Sequence, residues 1–155
     1  MKFEQFRNEI KSIYAEKFSK SYCNVKIYNG LGKSITITLH MSASNDECAH
    51  GIVQNDMIQA MFDIVLPKDW KENDELPEQM TMMAINRDIK TKPAIDYMYC
   101  GYRNVSFRKV SGDAEKMIQS FQKFVGRLFD AVMEEYESDN LLDFDRDLVK
   151  EKYFS

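Results

Sequence analysis

The residues best suited to chemistry are His40, Cys48, His50 and Cys100, the side-chain types that bind zinc as neutral imidazole and thiolate. Cys48 and His50 stand two apart in a polar stretch, and His40 falls on the polar side of an alternating segment. Zinc sites normally bring their ligands in short, repeated spacings, and only this CxH pair is close here. The same pair would serve as thiol nucleophile and base, with Asp46 or Glu47 orienting the imidazole. Convergent geometry is hard to reach from adjacent loop positions, and the chain has 2 histidines in all. The reading is therefore ordinary thiols and histidines, with no metal, no cofactor and no catalytic residue assigned. The zinc- or thiol-dependent enzyme built on Cys48 and His50 stays as an alternative.

Other chemical signals are weaker. NGLGKS resembles a glycine-rich phosphate loop, but the GxxxxGK spacing fails and a strand pattern follows it where a helix is required. Among 25 Asp and Glu residues nothing singles out a pair for acid and base work. Arg103, Arg108 and Lys109 interleave with Tyr97, Tyr99, Tyr102 and Phe107 as on an RNA-binding sheet, yet the aromatic motif of such sheets is missing. A pI near 5.3 also argues against nucleic acid as a partner.

The elements that would position these residues follow from periodicity. Phe3, Phe6, Ile10, Ile13, Tyr14 and Phe18 recur at spacings of three and four, which predicts an amphipathic helix over 3–18. From Cys23 the period becomes two, and two strands meet at Asn29, Gly30, Leu31 and Gly32. In the second, Ile35, Ile37, Leu39 and Met41 face a core while Thr36, Thr38 and His40 face water. Residues 42–56 read as a loop and 57–66 as a third strand ended by Pro67, with a helical turn expected around Trp70. Residues 80–85 read as a fourth strand and 97–110 as a long fifth, bent at Gly101. Ser111, Gly112 and Asp113 supply capping chemistry for a long helix carrying Met117, Phe121, Val125, Leu128, Val132 and Tyr136 on one stripe.

This order predicts an α+β fold, an antiparallel sheet of about five strands flanked by an N-terminal and a long C-terminal helix. Residues 1–137 make one domain, and 138–155 an acidic tail that either docks or serves interaction. Cys23 and Cys100 read as core filling, and Met57, Met61, Met80, Met82 and Met83 as core or as an adaptable binding surface. Three cysteines without CxxC spacing and the absence of an apolar run predict a cytoplasmic protein with no signal peptide or membrane anchor.

Charge is uneven along the chain. The net value is -4, yet residues 130–155 hold 9 acidic against 3 basic side chains. Asp130, Glu134, Glu135, Glu137, Asp139, Asp143, Asp145 and Asp147 form an array that would attract a basic partner much as a phosphate backbone does. The expectation is a non-enzymatic protein-interaction module, an inhibitor or accessory protein of a phage or mobile element. The order of elements and the acidic balance are architecturally similar to small acidic secretion chaperones. That resemblance implies a homodimer whose sheet holds an unfolded client segment. Small-molecule binding between the sheet and the long helix is a third class.

Overall fold

The computed structural model describes residues 1–29, 35–42, 59–84 and 107–137, with the backbone alone at Ser42, Gln59, Glu135 and Tyr136. The elements run α1 (Phe3–Lys17), β1 (Tyr22–Asn29), β2 (Ile35–Ser42), β3 (Gln59–Leu66), β4 (Met80–Ala84), β5 (Val110–Gly112) and α2 (Ala114–Glu137). The five strands form one sheet in the order β1-β2-β3-β4-β5, every neighbour antiparallel. The expected α+β arrangement is the observed one.

Alternation decides which face of the sheet is covered. Val25 lies opposite Leu39, Leu39 opposite Phe62, and Ile64 opposite Met82. All are buried, together with Cys23, Ile37, Met41, Ala60, Leu66 and Met80. Both helices seal this face. From α1 come Phe3, Phe6, Ile10 and Tyr14, and from α2 Met117, Phe121, Phe124, Val125, Leu128 and Val132. Each fully buried side chain of this size contributes about 1.5–3 kcal/mol. The helices also meet each other, with Phe18 and Phe129 edge to face at 5.7 Å and Lys17 Nζ 5.0 Å from the Phe129 ring.

The local ends of the elements have specific causes. α1 has no side-chain cap at Lys2, but Glu4 in its first turn and Lys17 in its last complement the helix dipole. The phenol of Tyr14 hydrogen-bonds Ser21 at 2.5 Å, tying the end of α1 to the start of β1. The N-terminal amine of Met1 donates to the Glu75 carboxylate, the Leu76 amide to Met1 carbonyl at 2.9 Å, and Trp70 Nε1 to the Glu75 carbonyl at 3.0 Å. The 67–79 connection is thereby pinned to the residues that lead into α1.

Two local expectations need correction. Of the strand expected over 97–110 only Val110 falls in a described strand, β5 (Val110–Gly112), where Ser111 and Gly112 pair with Thr81 and Met80 instead of capping α2. Residues 107–109 lie outside any strand, and 97–106 lie outside the described residues. The cap falls to Asp113, whose Oδ1 accepts the Lys116 amide at 2.9 Å. Gly112, at φ +155°, is required by proximity, since a Cβ there would lie 2.8 Å from Lys116 Cβ. Around Trp70 there are two single turns, closed by Trp70 N to Pro67 O at 3.2 Å and Asp74 N to Lys71 O at 2.8 Å, with no helical segment.

Candidate functional site

α2 fixes the direction of its charges because its apolar stripe is locked into the core. With Phe121, Phe124, Val125, Leu128 and Val132 buried, the opposite side of the helix must meet water. Lys116, Lys123, Arg127, Asp130, Glu134 and Glu137 are exposed there. Asp130, Glu134 and Glu137 are spaced four and three apart, so they stack along one stripe about 10 Å long at the helical rise. Glu135 belongs to the same helix, whereas Asp139, Asp143, Asp145 and Asp147 lie outside the described residues.

This placement works against the helix. Carbonyl groups at a C-terminus carry partial negative charge, and α2 has no basic residue in its last turn. An acid there costs about 0.3–1 kcal/mol where a lysine would gain as much, and like charges four apart repel by a few tenths more. The dipole alone would favour a cation at Glu137.

The other sheet face carries Tyr22, Asn24, Lys26 and Tyr28 of β1, Thr36, Thr38 and His40 of β2, Met61, Asp63 and Val65 of β3, and Thr81 and Met83 of β4. It is not simply wet. His40, expected in water, is 6% exposed, and Asn24 opposite it 9% exposed, with Asn24 Nδ2 making no hydrogen bond. Thr38 Oγ1 donates to Asp63 Oδ1 at 2.5 Å. The methionines divide between the faces: Met80 and Met82 are core, Met61 and Met83 half-buried on this side, and Met57 lies outside the described residues.

The remaining candidates do not assemble into a reaction centre within the described residues. Cys48, His50 and Cys100 lie outside them, as do Asp46 and Glu47, and no group of three or more metal-ligating side chains occurs among those described. Cys23 is a core residue whose thiol is pushed up to about 12 by burial, with Lys11 opposing weakly. Phe107, grouped by sequence with surface aromatics, packs against Phe62 and Phe124 at 4.7 and 5.9 Å. Arg108 and Lys109 are exposed, and Tyr97, Tyr99, Tyr102 and Arg103 are outside the described residues.

Sequence reasoning missed two features. One is the polar pair Asn24 and His40, hidden because threonines beside His40 imitate a solvated strand face. The other is Tyr22 and Tyr28 on β1, whose even spacing was the available signal. Comparison of the chain with family models, curated proteins and solved structures found no match. No helix among the described residues is long and apolar enough to cross a membrane.

Proposed function

We propose that this chain is a non-enzymatic protein-interaction module, an inhibitor or accessory protein that binds a basic surface through the acidic end of α2. The observation that carries the reading is the alignment of Asp130, Glu134 and Glu137 on one exposed stripe, which runs into a last helical turn that holds no basic residue. Residues held against local stability are expected where another requirement acts on them. A rigid row of carboxylates answers that requirement, because it steers and orients a cationic partner without moving parts. Asp139, Asp143, Asp145 and Asp147 extend the same negative charge along the sequence.

Binding of this kind falls with added salt, since the opposed charges lie at the surface. The triple variant Asp130→Asn, Glu134→Gln, Glu137→Gln is expected to weaken capture of the partner at least about tenfold, close to 1.4 kcal/mol, while the fold persists. A partner retained equally by this variant and in high salt would eliminate the acidic surface as the binding site.

A further inference from the structure

β1 stands at one edge of the sheet, and among the described residues no strand pairs with its outer side. An edge strand presents a row of unsatisfied N–H and C=O groups, and proteins usually shorten, bend or interrupt it. β5, at the opposite edge, follows that rule with 3 residues. β1 carries Lys26 as a guard but is neither short nor interrupted: its 8 residues pair with β2 in unbroken register and include no proline. Tyr22 and Tyr28 are the large hydrophobic side chains left exposed among the described residues, at 41% and 48%. Both lie on β1, near its two ends, and their even separation puts them on the same face.

We propose that β1 pairs antiparallel with β1 of a second copy of this chain, about a two-fold axis at Val25, joining the two sheets edge to edge. In this register Tyr22 faces Tyr28 of the second copy at both ends, Cys23 faces Ile27, Asn24 faces Lys26, and Val25 faces Val25. The strand is self-complementary there, as a two-fold contact demands. Aromatic pairs cap the interface, apolar side chains meet on the core side, and no like charges oppose. An axis at Lys26 would set two lysines against each other. One at Asn24 would carry Tyr28 past the end of the opposite strand. The middle of β1 is already buried at Cys23, Asn24 and Val25, so a second strand contributes backbone hydrogen bonds at the centre and side-chain cover at the tyrosines. Opposed residues share parity, so both helical layers lie on one side and the faces bearing Met61 and Met83 become continuous. The pairing does not depend on the acidic surface of α2.

Sedimentation velocity on the full chain tests this directly, with far-UV circular dichroism confirming that each variant is folded. The wild type is expected to be a dimer. Tyr22→Lys with Tyr28→Lys opposes lysines at both ends and is expected to abolish the dimer. Tyr22→Lys with Tyr28→Glu opposes lysine to glutamate and is expected to restore it. A monomeric wild type, a dimeric double-lysine variant, or a monomeric lysine-glutamate variant each overturns the pairing. Hydrogen exchange of the wild type supplies a test without substitution: outward-facing β1 amides are expected to lose protection on dilution to monomer, and amides indifferent to dilution overturn it as well.

Discussion

The ring of Phe124 on α2 meets that of Phe62 on β3 edge to face, with centroids 4.8 Å apart. Phe107 closes the group against both rings. This cluster seats the long helix on the centre of the sheet and so determines which side of α2 turns outward. Phe124→Ala is expected to cost about 3–5 kcal/mol through lost burial and the cavity left behind. Urea denaturation gives the value, and a loss below about 1 kcal/mol would mean the cluster does not anchor α2.

The bond between Tyr14 and Ser21 joins the end of α1 to the start of β1 in buried surroundings. Tyr14→Phe keeps the ring and removes the hydroxyl, leaving Ser21 without this partner. A loss of about 1–3 kcal/mol is expected. Chemical denaturation of the single variant measures it.

The Met1 amine beside Glu75 holds that carboxyl below its ordinary value of 4.5, first through the hydrogen bond and then through charge. A depressed folded pKa stabilises the protein fully above the ordinary value and less as pH falls through the depressed one. Thermal melts across the acid range are therefore expected to show a steeper decline for wild type than for Glu75→Gln. Trp70, which donates to the Glu75 carbonyl, offers a fluorescence signal for the same segment. Parallel acid profiles for the two proteins would remove this contact from the account.

Burial raises the Cys23 thiol to about 12, so almost no thiolate forms at neutral pH and reagents lack access to it. Native protein treated with iodoacetamide is expected to remain unmodified at Cys23, with full alkylation after denaturation. Peptide mass spectrometry reads both states, and rapid native labelling would contradict the core placement.

The strands of the first hairpin and both helices were legible because their apolar residues keep one period over many positions. Phe3, Phe6, Ile10 and Tyr14 define α1, and Ile37, Leu39 and Met41 define β2, without recourse to anything distant in the chain. Ser111 and Gly112 were not read as strand because three residues are too few for a period, and the pair imitates helix-capping chemistry. His40 was placed in water because alternation tells which face a residue takes, while only tertiary packing tells whether that face is covered. The acidic stripe was visible as composition, but its opposition to the helix dipole required knowing that α2 continues to Glu137. The contact between Met1 and Glu75 joins residues 74 positions apart, and no local pattern encodes it.

The acidic end of α2 is tested most directly by native mass spectrometry of the chain isolated from cells that produce it, beside the Asp130→Asn, Glu134→Gln, Glu137→Gln variant. The account predicts a stoichiometric protein partner on the wild type, released by salt and lost from a folded variant. The same partner on both, or bound metal or small molecule with no protein partner, would contradict it.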